Sequence, residues 1–295
     1  GIRYVFDGSG ALVWTLGPET RPAEPKKTGW SQEGSNWYYY DADGSVHTGW
    51  LNLNGTWYYL WDSGVMATGW VNVGGWYYLD DSGAMETGWV FVSGTWYNLG
   101  SDGLWTGEQQ AQTTIVGTSA LSKDAFVNKA VAAFASVGAA YPVDALAVGG
   151  APTIRDFCTQ LYEEAADEGI RPELVFCQAM KETGWLRFGG RVNVSQFNFA
   201  GIGAVDGGTT SASFSSVREG LRAQVQHLKA YAVKGVTKSS LAHTCVDPRF
   251  TLVTTGSAEY VQWLGIKENP QGRGWATGKG YGCQIVSLMS AHFGA

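Results

Sequence analysis

The chain lacks long apolar runs, and its first third lacks positive charge. No stretch of the 295 residues approaches the roughly 18 consecutive apolar side chains that a membrane-spanning helix needs. Residues 28–105 contain no Lys or Arg, whereas nucleic-acid binding needs a basic surface. We therefore expect neither a membrane-embedded protein nor one that binds nucleic acid.

Cysteine is scarce and shows no metal-binding pattern. The four Cys lie in the second half, at Cys158, Cys177, Cys245 and Cys283, without a C-x-x-C pair. Cys158 and Cys177 fall on apolar stretches and are expected in the core rather than in a disulfide. The four His show no metal-ligand spacing either, so we expect no metal and no other cofactor.

Charge and aromatic residues are unevenly distributed. Residues 1–105 hold four Lys/Arg and eleven Asp/Glu, a net charge of 4 − 11 = −7, and eleven of the fourteen Trp. The remaining residues hold sixteen Lys/Arg and fifteen Asp/Glu, a net charge of 16 − 15 = +1. Aromatic faces in a negative potential suit a cationic ligand through cation–π attraction.

A repeat of about twenty residues fills this acidic segment. Thr-Gly-Trp begins at Thr28, Thr48, Thr68 and Thr87, with spacings of 20, 20 and 19 residues. A Trp-Tyr strand and an Asp/Ser/Gly turn follow each one, which predicts a β-hairpin. A single hairpin cannot bury its aromatic face, so the period predicts hairpins stacked into a β-solenoid.

The repeat resembles the choline-binding, or cell-wall-binding, repeats of Gram-positive surface proteins and phage lysins, over about residues 1–107. The resemblance implies cages in which Trp side chains and a Met surround a choline methyl group. Carried over, one cage comprises Trp50, Trp57, Met66 and Trp70, and the next Trp70, Trp76, Met85 and Trp89. A further cage of Trp30, Trp37 and Trp50 has Val46 at its Met position.

Two other readings of these aromatic residues stay open. The rings can simply pack the solenoid, which we favour for the last Tyr of each Trp-Tyr-Tyr strand. The ligand can also be a sugar, as in related clostridial toxin repeats, because sugars stack on aromatic faces as well.

The chain then changes character. Residues 106–114 are polar and aperiodic, which predicts domains at 1–107 and 122–295 joined by a linker at 108–121, with 122–295 folding independently. Helix-start signals at Ser122, Thr153, Pro172 and Ser216 predict a mainly α second domain. A Gly-rich stretch, residues 199–214, is expected to form a loop or small hairpin along a cleft.

Glu182 is the carboxylate that we single out in this domain. On helical spacing it lies at the edge of an apolar stripe with Val175, Ala179 and Leu186. A partly desolvated Glu stays protonated at neutral pH, which is the state of a general acid for glycoside hydrolysis. Spacing alone equally allows an ordinary Glu at a helix end. A nearby acidic group, residues 163–168, is expected to be a solvated face.

Three ordered motifs in residues 122–295 resemble peptidoglycan glucosaminidases, a lysozyme-like family of glycoside hydrolases. They are Ala-Met-Lys-Glu-Thr-Gly-Trp at residues 179–185, Asn-Phe-Ala-Gly-Ile at 198–202, and Gly-Trp-Ala-Thr with Tyr-Gly at 274–282. The resemblance implies Glu182 as the catalytic acid. One departure is that Leu186 follows Gly-Trp, where the family has Gly, so the local turn is not predicted.

The remaining site residues follow from the same resemblance. Asn198, Trp275 and Tyr281 would bind substrate, although the two aromatic residues equally suit core packing. Asp206 is a candidate second carboxylate that activates water, or else a turn residue before Gly207. The N-acetyl group of the substrate can also replace a second carboxylate.

Taken together, these features predict a β-hairpin solenoid joined to a mainly α lysozyme-like domain. They indicate a secreted, wall-associated hydrolase of bacterial or phage origin that cleaves β-1,4 bonds of peptidoglycan at N-acetylglucosamine. Its partners would be glycan strands and choline-bearing teichoic acid. The alternative is a wall-anchored adhesin or binding protein without activity.

Overall fold

The computed structural model describes residues 3–16, 26–190, 192–203 and 211–294. The chain forms two compact units, Gly1–Glu86 and Thr87–Ala295. Over the described residues, no helix has the length and apolar character that crossing a membrane requires.

The first unit consists of β-hairpins, as the repeat predicts. Its strands are β1 (Arg3–Phe6), β2 (Leu12–Leu16), β3 (Gly29–Glu33), β4 (Asn36–Tyr40), β5 (Gly49–Leu53), β6 (Thr56–Leu60), β7 (Gly69–Asn72) and β8 (Trp76–Leu79). Each strand pairs antiparallel with its sequence neighbour, in the order β1-β2, β3-β4, β5-β6 and β7-β8. The tight turn of β5-β6 has positive φ at Asn54 (54°) and Gly55 (90°), the conformation that matches the twist of a hairpin.

Successive hairpins contact each other through backbone and side chains. The N–H of Met66 donates to the carbonyl of Trp37 at 2.8 Å, and that of Met85 donates to Trp57 at 2.8 Å. A Cβ placed on Gly83 would lie 2.4 Å from the sulfur of Met66, so this turn needs Gly for close approach as well as for its φ of 82°. Each hairpin is therefore stabilised by its neighbour, as in other repeat proteins.

The second unit begins with the last repeat and continues into the helices. A three-stranded sheet, in the order β11-β10-β9, comprises β9 (Gly88–Val92), β10 (Thr95–Leu99) and β11 (Trp105–Ala111). The helices are α1 (Lys123–Ser136), α2 (Val143–Val148), α3 (Ile154–Glu168), α4 (Pro172–Thr183), α5 (Val217–Ala232) and α6 (Tyr281–Phe293).

The helix-start signals are confirmed by capping contacts. The side chains of Ser122, Thr153 and Ser216 accept hydrogen bonds from the first turns of α1, α3 and α5, and Thr153 forms a capping box with Asp156. Pro172 occupies the start of α4. The sequence analysis does not predict α2 and α6.

The polar segment expected to be a linker is hydrogen-bonded along its length. Residues 105–111 form β11, and Gln110 Nε2 donates to the carbonyl of Cys283 at 3.0 Å. Further along, Val261 N–H donates to the carbonyl of Thr113 at 2.7 Å, and Ile115 is fully buried. The compact units accordingly divide between Glu86 and Thr87 rather than at residue 107.

The helical core corrects one expectation about charge. Glu164 and Glu168 are 1% and 4% exposed rather than solvated. Arg222 forms a bidentate pair with Glu164 at 2.8 and 3.0 Å, and Lys229 donates to Glu168 at 2.6 Å. These pairs join α3 to α5, so Glu164 and Glu168 connect helices instead of facing water, whereas the side chain of Asp167 is 51% exposed, as expected.

The four cysteines are free thiols, and Cys158, Cys177 and Cys283 are buried. This confirms the expected core location of Cys158 and Cys177. Among the described residues, no cluster of three or more His, Cys, Asp or Glu could hold a metal ion.

Candidate functional site

Glu182 lies in the last turn of α4, at the edge of the helical core. Val175, Ala179 and Leu186 on its stripe are each at most 2% exposed, as the helical spacing predicts. The Glu182 residue itself is exposed on one side, so its carboxyl group faces both the protein and solvent. An open carboxyl group against an apolar stripe is accessible to a substrate.

A turn of unusual backbone conformation follows this helix. Gly184, Trp185 and Leu186 have φ values of 59°, 60° and 59° in succession. Left-handed conformation is costly for Trp and Leu, and side-chain contacts hold it: Thr183 Oγ1 accepts from Leu186 N–H at 2.9 Å and donates to the carbonyl of Ala179 at 2.7 Å. The turn that the sequence left unpredicted thus redirects the chain directly after Glu182.

Tyr281 contacts the carboxyl group directly. Its hydroxyl donates a short hydrogen bond to Glu182 Oε1 and accepts one from Gln178 Nε2 at 3.1 Å. Tyr281 is 6% exposed, so it lies behind the carboxyl group rather than along an open sugar subsite. Because α6 begins at Tyr281, the start of this helix determines where the hydroxyl lies.

The environment of Glu182 favours its protonated form. Burial raises the pKa of the Glu182 carboxyl above its ordinary value, while the hydrogen bond from Tyr281 and the charge of Lys181 counteract part of that rise. The open side of the residue limits the rise, since water still reaches the carboxyl group. Burial also raises the pKa of Tyr281 well above its ordinary value, and the nearby Glu182 adds to this, so the hydroxyl stays a donor.

Asn198 has a different role from the predicted substrate contact. It is 1% exposed, and its Nδ2 donates to the carbonyls of Ile202 at 2.8 Å and Ala212 at 3.1 Å. Its Oδ1 accepts from the N–H of Ile202 at 3.0 Å. Both Nδ2 protons and one lone pair of Oδ1 are bonded to loop backbone, and the side chain is buried, so Asn198 shapes the loop beside Glu182.

In the hairpin unit, one aromatic pocket is formed within the described residues. It is about 340 Å³ in volume and is lined by Trp30, Trp37, Tyr58, Met66, Asp81 and Ser82. The rings of Trp30 and Trp37 meet edge to face with centroids 6.4 Å apart, and Tyr58 lies 5.0 Å from Trp30. We call this group the first aromatic pocket.

The same arrangement recurs one repeat later. Trp50 and Trp57 are 6.2 Å apart and nearly perpendicular, and Tyr77 lies 4.8 Å from Trp50. Met85 is hydrogen-bonded to Trp57 through the backbone, as Met66 is to Trp37. Trp37 and Trp57 are 41% and 42% exposed, and such exposed aromatic surface is typical of a binding site.

The grouping of these residues differs from the predicted cages by one repeat. Met66 joins Trp30 and Trp37 rather than Trp50, Trp57 and Trp70, and Tyr58 takes the place predicted for Trp50. The reason is strand alternation: Tyr58 points away from the face shared by Trp57 and Tyr59 and so reaches the preceding hairpin. That alternation was visible in the sequence and could have identified Tyr58 and Tyr77.

The predicted cage of Trp70, Trp76, Met85 and Trp89 is regrouped in part. Trp70 and Trp76 form a perpendicular pair at 6.3 Å, and Trp76 is 44% exposed. Met85, however, is bonded to Trp57. Trp89 is 8% exposed and packs in the second unit with Trp96, Cys283 and Trp263, and its place in a cage stays a prediction.

Comparison with known families matches the repeats and the helical part to different family models. A model of mannosyl-glycoprotein endo-beta-N-acetylglucosaminidases matches residues 158–293. A choline-binding repeat model matches residues 27–69, and a putative cell wall binding repeat model matches 68–85 and 87–103. The chain carries a glucosaminidase domain and choline-binding repeats.

Individual relatives cover only parts of the chain. An uncharacterized protein of Borreliella burgdorferi is 39% identical over 127 residues, which is 43% of this chain and 57% of the relative. CbpJ of Streptococcus pneumoniae is 44% identical over 35% of this chain and 32% of its own, with a TM-score of 0.27. Choline-binding protein F of the same species is 40% identical, over 35% and 31%, with a TM-score of 0.26.

In the glucosaminidase domain, Trp275 lies beside a buried His–Asp pair. His227 Nδ1 is 2.7 Å from Asp247 Oδ2, and the imidazole meets the half-buried Trp275 ring edge to face at 4.7 Å. Tyr231 also contacts Trp275 and donates to the carbonyl of Gly274 at 2.9 Å. Trp275 is thus held by its neighbours, and its role toward sugar stays a prediction.

The second predicted carboxylate, Asp206, lies outside the described residues. Glu219 is a capping residue, because its Oε2 accepts from the backbone of Ser215 at 2.6 Å, before α5 begins. The recorded hydrogen-bond partner of Glu182 in the described part of the chain is Tyr281.

Proposed function

We propose that the protein is a cell-wall hydrolase that cleaves β-1,4 glycosidic bonds of peptidoglycan at N-acetylglucosamine. Glu182 is the general acid that protonates the glycosidic oxygen. The observation that carries this proposal is the Glu182 carboxyl group itself, desolvated on its protein side and bonded to Tyr281, within a domain that matches a glucosaminidase family.

The reaction needs a second group to bring in water after or during departure of the leaving group. Asp206 is one candidate, and the N-acetyl group of the substrate is the other. In either case the donated proton comes from Glu182, and the carboxylate that remains is stabilised by the hydroxyl of Tyr281.

The test is Glu182→Gln assayed on purified peptidoglycan. The amide retains size and the capacity to accept from Tyr281, but has no proton to donate. We expect turnover to fall by about 10²–10⁴-fold with the fold unchanged. Mass spectrometry of the fragments identifies the bond through the new reducing end. Wild-type turnover in this variant would exclude Glu182 as the acid, and an inactive wild type would favour the adhesin alternative.

We further propose that the repeats hold the enzyme on choline-bearing teichoic acid, which places it in the cell wall outside the membrane. The support is the perpendicular Trp pairs, the exposed Trp faces and the absence of Lys and Arg from residues 28–105. Millimolar-range choline should release the bound protein from choline-bearing walls, as expected for a small ligand with few contacts. Release by a neutral sugar instead would indicate carbohydrate binding.

A further inference from the structure

Two fully buried amides lie behind the candidate acid and have no part in the chemistry described so far. Gln178 on α4 precedes Glu182 by one helical turn, and Gln224 belongs to the facing helix α5. Both are 0% exposed. Burying an amide is costly unless its groups are bonded, so the direction of their hydrogen bonds is informative.

The hydrogen bonds form a chain with one direction. Gln224 Nε2 donates to the carbonyl of Val175 at 3.1 Å and to Gln178 Oε1 at 3.0 Å. Gln178 Nε2 then donates to the hydroxyl of Tyr281 at 3.1 Å, and that hydroxyl donates to Glu182 Oε1. We call these four side chains the amide–tyrosine relay.

A backbone carbonyl determines that direction. The carbonyl of Val175 can only accept, so Gln224 must present its NH₂ group there and to Gln178. Gln178 must in turn accept with its oxygen and donate with its nitrogen. The tyrosine oxygen then has a donor bonded to it, and its single proton is left for Glu182. Had Gln178 been reversed, Tyr281 would give its proton to Gln178 instead.

The relay carries a cost that packing alone does not explain. Gln224 Oε1 is buried and has no hydrogen-bond partner among the described residues. Two apolar side chains of similar size would fill the same space without leaving an acceptor unpaired. A buried amide with an unpaired oxygen needs an explanation, and such costs are typical of functional sites.

We propose that Gln178 and Gln224 are positioning residues that keep the Tyr281 hydroxyl donating its hydrogen bond to Glu182 Oε1 and so make Oε2 the oxygen that donates to the glycosidic bond. The proposal rests on the proposed hydrolase function. Oε2 lies on the side of the loop glycine Gly201, where an added Cβ would be 3.6 Å away. Because Gly201 has no side chain, this side of the carboxyl group is left open.

Among the residues that the structure describes, two titratable groups act on this carboxyl group. Tyr281 approaches from α6 and Lys181 from α4 itself. Lys181 Nζ lies 5.6 Å from the centre of the Tyr281 ring and donates to Gln284 Oε1 at 2.5 Å. Tyr231 of α5 is the further group that acts on Tyr281. The hydrogen bond from Tyr281 lowers the pKa of Glu182, so loosening it must raise that pKa.

The experiment compares Gln178→Met and Gln224→Met with Tyr281→Phe and with Gln226→Met as the matched control. Gln226 is also on α5 and 0% exposed, but it bonds the backbone of Thr244 and Val246 and has no recorded bond to the relay. In the two relay variants we expect about a tenfold lower kcat, an unchanged KM, and a basic limb of the pH–rate profile displaced to higher pH, as in Tyr281→Phe. The control should lose stability only, with its basic limb in place.

A second readout requires no turnover. Titration of the Glu182 carboxyl carbon by NMR should show a higher midpoint in Gln178→Met and Gln224→Met than in wild type and Gln226→Met. If the folded variants keep the wild-type titration midpoint of Glu182 and the wild-type basic limb, the two amides only pack the core and do not position the hydroxyl of Tyr281. If the wild type does not hydrolyse peptidoglycan, the proposed function fails, and the NMR midpoints still decide whether the relay acts on Glu182.

Discussion

At the scale of single residues, the carboxyl group of Glu182 combines an apolar stripe, an open side and one hydroxyl donor. Each has a separate effect: the stripe disfavours the charged form, the open side leaves the carboxyl group accessible to solvent, and Tyr281 fixes one oxygen. Such a site is poised for acid catalysis at the expense of stability, because a partly desolvated carboxylate is unfavourable when ionised.

The cost of Glu182 predicts a pH-dependent stability difference. Its pKa is raised in the folded state, so its ionisation weakens the fold as the pH rises through that raised value. At a pH below the ordinary glutamate pKa, Glu182 is protonated in both the folded and the unfolded protein, so its ionisation no longer lowers the free energy of unfolding. Glu182→Gln should therefore raise Tm at neutral pH, and the difference should disappear toward about pH 4. Calorimetric scans of both proteins across pH measure this, and a constant difference at all pH values would contradict it.

Asp81 predicts charge selectivity in the first aromatic pocket. Its exposed carboxylate lines that pocket beside Trp30, Trp37 and Tyr58. Exposed charges contribute modestly, about 0.2–1 kcal/mol, so Asp81→Asn should weaken choline binding by roughly 1.4–5-fold. Binding of 3,3-dimethylbutanol, an uncharged analogue, should not change.

The measurement is calorimetric titration in a background of Trp57→Ala and Trp76→Ala, which removes the later Trp pairs. Asp62→Asn is the control, since Asp62 occupies the same turn position one repeat earlier and does not line this pocket. Equal loss for the charged and uncharged ligands would mean that Asp81 acts through shape rather than charge.

At the scale of elements, α6 determines the position of Tyr281 and depends on a close approach. Gly282 packs against a short 3₁₀ helix, Val261–Leu264. A Cβ added at Gly282 would lie 2.0 Å from the carbonyl oxygen of Val261. The absence of a side chain at this position allows α6 to approach this short helix. The start of the helix, and with it the hydroxyl beside Glu182, follows from this contact.

Gly282→Ala should therefore disturb both stability and catalysis. Overpacking of this kind costs about 1–3 kcal/mol, or a Tm lower by roughly 2–4 °C per kcal/mol in a unit of this size. We expect turnover to fall further than the folded fraction does, because Tyr281 moves with the helix. Gly278→Ala is the control, as a Cβ there meets no atom within 4 Å and φ is not positive. Wild-type Tm in Gly282→Ala would refute the close approach.

At the scale of the whole molecule, the last repeat belongs to the same compact unit as the helices. Trp89 and Trp96 pack with Cys283, and residues 105–117 are bonded along the helical part. The repeat pattern separates the last repeat from the helical domain in the sequence, but in the structure the two pack into one core. In the proposed function, the earlier repeats target the wall through tethering, which raises the local substrate concentration.

This arrangement predicts where the chain can be cut. A fragment of residues 87–295 should unfold at the temperature of the second unit in the full chain. A fragment of residues 122–295 loses buried Ile115, worth about 1.5–3 kcal/mol, and several hydrogen bonds worth about 0.5–1.5 kcal/mol each. Its Tm should be clearly lower. Ile115→Ala in the full chain tests the same contact without truncation. Equal Tm values for the two fragments would instead support the domain boundary expected from the sequence.

The sequence by itself determined the repeat period, the hairpins, the starts of four helices and Glu182 as the residue to examine. These features depend on local chemistry: turn glycines, capping side chains and helical spacing act within a few residues. The tertiary structure alone decided the rest. It placed Met66 at the preceding Trp pair, buried Trp89 and Glu164, turned Asn198 toward backbone, and brought Tyr281, Gln178 and Gln224 together behind Glu182. The hydrogen bonds behind Glu182 alone join residues up to 103 positions apart, and no local pattern specifies which distant groups will meet when apolar surfaces pack.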